Sequence, residues 1–495
     1  MVMITATTSV EVVSRETIKP LCPTPNNLRN YILSSIDQNS PPIYIPVLLF
    51  YLNNTTINTN EKLFMLKKSL GECLSEYYPL AGTFRDDYSV VECNDEGAEF
   101  IEARVNCDIS QIIGTSNVKL LNQLLPFEST GNWSKLKGKT YEREVLVAAQ
   151  ANLFSLNLFF RCGGLAIGVC ISHKIADGTS VVAFLNSWAS KSLNNYHGYN
   201  ANIVPSPIFD SARNFPPREM PRYSHDIGIT NKTIVTKRFI FDSSSILALK
   251  KQASTTIIDS SDENIKFPTR VQAVSSLIWS RVLALYRSKP TYAKICVAVH
   301  AVNIRPKMEP LVPNHTFGNY WTVAIAPAVV KTEQNAGEMS SDITILVEKM
   351  NKSIRNINAG CVKNMNVVAA PVSNSLKMHS FSKTGHTRDS NFEESEQHRS
   401  RLNDNSVEKT AKDFSKGDLE VCNFTSWCRF PVYEVDFGWG KPEWVCSPIK
   451  SFKNLVILMG TKDGDGIEAS VNLLEEDMPL FENDPQILAF ANYCP

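Results

Sequence analysis

Two apolar runs in mid-chain, VLVAAQANLFSLNLFF at 145–160 and LAIGVCIS at 165–172, are separated only by Arg161 and the turn Cys162-Gly163-Gly164. Runs this short and this apolar predict two consecutive buried strands. Helical and extended segments alternate around them. EKLFMLKKSLGECLSEYYPLAGTF at 60–83 places Leu63, Leu66, Leu70 and Leu74 at spacings of three and four, an amphipathic helix running into a Pro-Leu-Ala-Gly turn. YSVVECND at 88–95 and AEFIEARV at 98–105 read as strands about the turn residues Asn94-Asp95-Glu96-Gly97. Further on, VTKRFIFD at 235–242 reads as a strand followed by a helix from Ser243. A longer helix starts near Thr269 (TRVQAVSSLIWSRVLALYR), and ICVAVHAVNIR at 295–305 is β-rich. No short-period repeat occurs, which excludes solenoids and propellers.

The chain has 495 residues, 43% of them hydrophobic, enough for a large core. At roughly 150 residues per domain three units are expected, but two of 200 to 250 fit equally well. Residues 190–235 are rich in Asn, Pro, Ser and Tyr without a sustained period, the composition of a segment crossing between domains. We therefore expect a first domain at 1–200, a crossing segment at 201–234 and a second domain at 235–495. Within the second, residues 371–416 are polar and Ser-rich with charges of both signs, and are expected to form an exposed, mostly disordered insertion. The spacings between its His379, His386 and His398 do not suit a metal site.

Several function classes drop out. Lys plus Arg and Asp plus Glu both total 50, so no basic field exists to hold a nucleic acid or an anionic membrane. The twelve cysteines are scattered singly and read as reduced thiols. The N-terminal stretch lacks a basic start followed by an apolar run, and runs such as IYIPVLLFYL at 43–52 are too short to span a bilayer, so a cytoplasmic location is expected. There is no His-Glu-x-x-His and no paired cysteines for zinc, and no Gly-x-Ser-x-Gly elbow for serine hydrolysis. A lone Gly163-Gly164 makes no dinucleotide fingerprint.

Ser172-His173-Lys174-Ile175-Ala176-Asp177-Gly178 follows directly on the second buried strand. A histidine at a strand end projects into a crevice. With an unperturbed pKa near 6.5, it can take a proton from a hydroxyl or amine as that group attacks a carbonyl. The pattern is short, and by itself fits a hydrogen-bonded core histidine as well. A second motif, Asp436-Phe437-Gly438-Trp439-Gly440-Lys441-Pro442, is dense in glycine and aromatic residues and suits a tight packed loop rather than a phosphate cradle.

Together the two motifs resemble the signature pair of the plant BAHD acyl-CoA-dependent acyltransferases. The likeness extends through Tyr78-Pro79-Leu80-Ala81-Gly82, Cys93-Asn94-Asp95 with Gly97, Cys162-Gly163-Gly164, Val302-Asn303-Ile304-Arg305, Gly318-Asn319, Thr425-Ser426-Trp427-Cys428-Arg429 and Asp465-Gly466-Ile467-Glu468. Only the segment around 371–416 lacks a counterpart. SHKIAD, FTSWC and DFGWGKPEWV are most similar to the branch of vinorine synthase and salutaridinol acetyltransferase.

The resemblance implies an α/β fold of two similar domains, related to chloramphenicol acetyltransferase, each a mixed sheet flanked by helices with a channel between them. It implies acetyl-CoA as co-substrate, no permanently bound cofactor or metal, and a small-molecule alcohol of plant specialised metabolism, such as an alkaloid, as acceptor. His173 would act as general base in a ternary complex without a covalent acyl-enzyme, in keeping with the lack of a Ser or Cys nucleophile motif. Asp177 would turn away from the site and pair with Arg305, holding the loop that orients His173. Thr425 and the Trp427 indole match positions near the channel centre, where they could stabilise the developing oxyanion. Asp436 belongs to the family pattern and is expected to serve structure through an ion pair or backbone hydrogen bonds. Lys250 and Lys251, on the helix after FIFD, are candidates for the coenzyme A phosphates. The chain is expected to be monomeric. One departure is Thr83 where the family usually has arginine, with Arg85 two residues on. The alternatives are a longer or aromatic acyl donor, a terpenoid, acylsugar or amine acceptor, and an inactive binding protein. Decay at the base would mark the last, and His173, Asp177, Gly178 and Thr425 are all present.

Overall fold

The computed structural model describes residues 8–53, 57–127, 144–154, 164–197, 204–219, 232–259, 262–287, 289, 295–330, 342–365, 419–449 and 452–494. The 371–416 insertion lies wholly outside these residues, and so do 155–163, which include Cys162 and Gly163.

The two apolar runs form the centre of the first sheet. Val147–Phe154 and Leu165–Ser172 pair antiparallel, and Tyr44–Tyr51 pairs antiparallel with the other edge of Leu165–Ser172. Every residue of Leu165–Ser172 and Tyr44–Tyr51 is buried. Period-two alternation explains how both faces are used. Val47, Leu49, Val169 and Ile171 meet Leu66, Leu70 and Phe184 from the helices Thr59–Glu76 and Gly178–His197. Leu48, Phe50, Ala166 and Cys170 point the other way, onto Ile109, Leu121 and Leu124. Val10–Ile18, Ala98–Val105, Val147–Phe154, Leu165–Ser172, Tyr44–Tyr51 and Trp444–Cys446 follow one another across the sheet, with one parallel pair, Ala98–Val105 beside Val147–Phe154.

The helix Thr59–Glu76 starts where the Asn58 side chain accepts the Glu61 N–H at 2.9 Å, and its Leu63, Leu66, Leu70 and Leu74 are all buried. It ends in the 3-10 turn Tyr78–Ala81. Gly82 follows because a Cβ there would lie 2.4 Å from the Glu92 carbonyl oxygen. Thr83, the departure from the family pattern, accepts from the Asn94 side chain at 3.0 Å, while Arg85 pairs with Glu92 at 3.3 Å on the surface.

The second sheet runs Trp321–Val329, Ile295–Asn303, Leu419–Ser426, Leu455–Gly460, Ile467–Leu474, Ile234–Phe241 and Asn492–Cys494. It too is mixed: Leu419–Ser426 is parallel to both its neighbours, and the other pairs are antiparallel. The helices Ser243–Gln252, Arg270–Arg287 and Ile343–Asn356 bury Leu249, Trp279, Leu283 and Leu346 with Phe239, Ala298, Phe424 and Leu458 of the sheet. This is the α/β architecture that the resemblance implies. Among the described residues no helix is long and apolar enough to cross a membrane.

The boundary between the halves is less simple than a single crossing. Residues 427–446 belong by sequence to the second half, yet Trp427, Val432, Phe437 and Trp439 sit in the core of the first. Trp444–Cys446 then completes the first sheet beside Tyr44–Tyr51. Below it, Glu468 of the Asp-Gly-Ile-Glu run pairs with Arg238 at 2.7 Å and accepts from the Trp444 indole at 3.2 Å, tying the second sheet to this exchanged strand. The described part of the crossing segment packs closely as well: Phe215 is buried with Ile304 and Tyr320, and Ile208 bridges to Thr316.

Candidate active site

The strand Leu165–Ser172 delivers His173 to the seam between the halves. The His173 N–H donates to the Ile43 carbonyl at 2.8 Å, and the Ile175 N–H donates back to Ser172 at 3.2 Å, so the chain turns sharply at once. The helix Gly178–His197 begins after that turn, with Asp177 as its N-cap. The Asp177 carboxylate accepts the Ser180 N–H at 2.9 Å, and its main-chain carbonyl accepts the Val181 N–H at 2.9 Å. The four-residue spacing thus joins a strand end to a helix cap. Gly178 leaves room for its neighbours, since a Cβ there would lie 2.9 Å from the Phe430 ring and 3.4 Å from the Trp427 indole.

The Asp177 carboxylate forms a bidentate pair with Arg305, at 2.7 and 3.1 Å. Arg305 is completely buried. Its Nε donates to the Thr316 carbonyl at 3.2 Å, its Nη2 also lies 3.0 Å from the Thr316 and Gly318 carbonyl oxygens and the Ser180 hydroxyl, and its guanidinium lies 4.7 Å from the centre of the Tyr320 ring. Burial alone would raise the Asp177 pKa. The Arg305 charge, its hydrogen bonds and the amides of Ser180 and Tyr320 outweigh that and hold the carboxyl below its ordinary value.

His173 itself is half-buried, and its Nδ1 is enclosed without a hydrogen bond of normal distance and angle. Burial pushes the imidazole pKa below its usual 6.5. The nearby main chain, Asp177 and the Asn319 amide oppose this only in part, so the ring is neutral at physiological pH.

Three residues without a catalytic signature complete the surroundings. The Asn319 side chain donates to the His173 carbonyl at 2.8 Å. The same side chain and the Asn319 main-chain N–H both donate to the Asp37 carboxylate at 2.8 Å. Asp37 is fully buried in a capping box with Ser34 at the start of the short helix Ser35–Asn39. Trp321 stands beside the base with ring centroids 5.7 Å apart and planes tilted by 43°. Its indole N–H is shared between Asn319 Oδ1 at 3.2 Å and Ser40 Oγ at 3.3 Å. Next to the base, the Lys174 ammonium donates to the Gln38 carbonyl at 2.6 Å, and burial pushes its pKa down to about 8.

The other candidates fall at varying distances from this cluster. Thr425 lies half-buried near the end of Leu419–Ser426, and Trp427, anchored by its main-chain N–H to the Leu458 carbonyl at 2.7 Å, reaches the first turn after the base. Asp436 accepts the Gly438 and Gly440 N–H groups at 2.8 and 2.9 Å, closing a loop in which both glycines have positive φ. That loop docks on Ser192, whose hydroxyl donates to the Phe437 carbonyl at 2.7 Å. Ser192 is about four turns, roughly 20 Å, along the helix from Gly178. Asp436→Ala is accordingly expected to cost about 1–2 kcal/mol of stability, read as a lowered urea midpoint, while turnover stays within several-fold. Lys250 and Lys251 occupy the last turn of Ser243–Gln252 on the second half, and Lys251 is exposed.

The Transferase family model matches residues 8–488. Stemmadenine O-acetyltransferase of Catharanthus roseus is 34% identical over 483 residues, spanning 96% of this chain and 96% of that protein. Limonoid 1-O-acetyltransferase of Citrus sinensis is 33% identical over 491 residues, spanning 97% of this chain and 98% of that one. The crystal structure of vinorine synthase aligns with a TM-score of 0.72 at 30% identity, covering 98% of this chain and 99% of its own. A match that runs through both sheets, the His173–Asp177 turn and the Asp436 loop leaves one assignment: this chain belongs to the Transferase family, the BAHD acyltransferases, and is an acyltransferase.

Proposed function

We propose that the protein transfers the acetyl group of acetyl-CoA to a hydroxyl of a polycyclic plant metabolite, an alkaloid or terpenoid alcohol, with His173 as the general base. The observation that carries this reading is the placement of His173: its Nδ1 is enclosed, which would leave Nε2 for the substrate, and its main chain is held by both halves of the molecule. The acceptor class is supported by relatives named for acetylating stemmadenine and a limonoid.

In this mechanism Nε2 takes the hydroxyl proton as the oxygen attacks the thioester carbonyl. The tetrahedral intermediate carries its negative charge on the former carbonyl oxygen, where the Thr425 hydroxyl and the Trp427 indole N–H are the proposed donors. Collapse breaks the carbon–sulfur bond, and the imidazolium returns its proton to the departing coenzyme A thiolate. Asp177 and Arg305 take no part in proton transfer and fix the turn that presents the base. Lys250 and Lys251 are proposed to meet the coenzyme A phosphates.

The test crosses acetyl-CoA and longer and aromatic acyl-CoA donors with stemmadenine, limonoid alcohols and simpler polycyclic alcohols, read by mass spectrometry. Acetylated product is expected with acetyl-CoA, and product from only the longer or aromatic donors would overturn the acetyl assignment. Intact-protein mass after incubation with acetyl-CoA alone is expected to be unchanged, and a stable acetyl adduct on Ser or Cys would overturn the ternary-complex mechanism.

A further inference from the structure

We propose that Asp37 is a positioning residue for the reaction, acting through Asn319 to hold the base in place relative to the opposite half of the molecule. This rests on the reading of His173 as general base. The juxtaposition is a relay across the seam: Asp37 and His173 come from the first half, Asn319 and Trp321 from the second.

Each link has one admissible sense. A carboxylate only accepts, and both hydrogens directed at Asp37 Oδ1 belong to Asn319, one from the main chain and one from the side chain, each at 2.8 Å. The indole N–H only donates, so the Asn319 oxygen must face Trp321, and the amide nitrogen must face Asp37 and the His173 carbonyl. One side chain therefore fixes the main chain of the base and the aromatic wall beside it. The second Asp37 oxygen accepts the Ser34 N–H at 2.9 Å and the Ser34 hydroxyl at 2.6 Å, which locks the carboxylate itself.

The chemistry gives this relay its weight. The base is on the first half, whereas Thr425 and Trp321 stand on strands of the second half's sheet. Misplacement of the reacting groups by about 1 Å is enough to cost roughly 10²-fold in rate. The Asp177–Arg305 pair secures the end of the turn, and Asn319 secures its beginning, at the peptide of the base itself.

The experiment compares Asp37→Ala, Asp37→Asn, Asn319→Ala and the Asp37→Ala/Asn319→Ala double variant in the full chain. Turnover is followed as thiol release from acetyl-CoA with the alcohols of the panel above. Asp37→Ala and Asn319→Ala are each expected to lower turnover by roughly 10²-fold with the KM for acetyl-CoA unchanged within a few-fold. The double variant is expected to be no slower than Asn319→Ala, because Asp37 acts through that residue. Asp37→Asn, whose amide oxygen can still accept from Asn319, is expected to recover most of the rate. Independently of any acceptor, 15N signals of the His173 ring in histidine-labelled protein, assigned by their loss in His173→Gln, are expected to shift in Asp37→Ala and return in Asp37→Asn. A lowered melting temperature with wild-type turnover and unshifted His173 signals would overturn the proposal, leaving Asp37 a cap for its own helix. Additive losses in the double variant would do the same. Full activity in a folded His173→Ala protein would instead refute the general base, whatever Asp37 does.

Discussion

Replacing His173 with alanine is expected to lower turnover by roughly 10²- to 10⁴-fold while the protein still folds, the range for removing a general base. The fold should tolerate the change because the contacts that hold this turn, to Ile43 and Asn319, are made by the main chain of His173. The residual rate would come from holding the two substrates together. In the parent enzyme the base must be unprotonated to act, and burial holds its pKa below 6.5. The acid limb of kcat/KM is therefore expected to fall below pH 6.5, with a plateau through neutrality. Near-normal turnover in folded His173→Ala protein would remove the mechanism.

Asp177→Ala is expected to cost about 3–5 kcal/mol of stability, because it strands the Arg305 guanidinium in a site with no exposure at all. The same change removes the cap of the helix Gly178–His197. Asp177→Asn should lose less, since the amide oxygen can still accept from Arg305 or Ser180. The pH dependence has a definite sign. The folded carboxyl titrates below the ordinary 3.8, so the pair stabilises fully above about pH 4 and its contribution fades as pH falls through the lower folded value. That acid limb should be missing from Asp177→Asn. A normal melting curve with abolished turnover in Asp177→Asn would show that the carboxylate acts on the base directly and would refute the structural role. Chemical denaturation and turnover measured side by side on the two variants separate these outcomes.

What the sequence discloses follows from the range over which each feature is encoded. The helix carrying Leu63, Leu66, Leu70 and Leu74 is legible because its face against the sheet is written at helical spacing, and Leu165–Ser172 is legible because both its faces are covered. The base stands out through its place at a strand end. Its Asp177–Arg305 support spans 128 residues and is visible only through family resemblance. Asp37 and Asn319 lie 282 residues apart, and Asp37 sits in a five-residue helix with no apolar stripe, so no local pattern links it to the base. A capping-box spacing from Ser34 to Asp37 is present, but it signals a helix start rather than a site. The packing of residues 427–446 on the first half is equally hidden. Aromatic residues separated by glycines have no period, and the three residues of Trp444–Cys446 are too few to show a strand alternation.

The exchanged strand also sets a timetable for biosynthesis. Tyr44–Tyr51 is made early, but the strand that covers its outer edge, Trp444–Cys446, is made almost 400 residues later. At about 5–20 residues per second, a ribosome would leave that apolar edge, with its unpaired main-chain groups, uncovered for roughly 20 to 80 s. Open edges of this kind invite pairing between nascent chains. A chain truncated before residue 444 is therefore a poor candidate for an independently soluble fragment, and yield during recombinant production should respond to chaperone supply and growth temperature more than the stability of the finished enzyme would suggest.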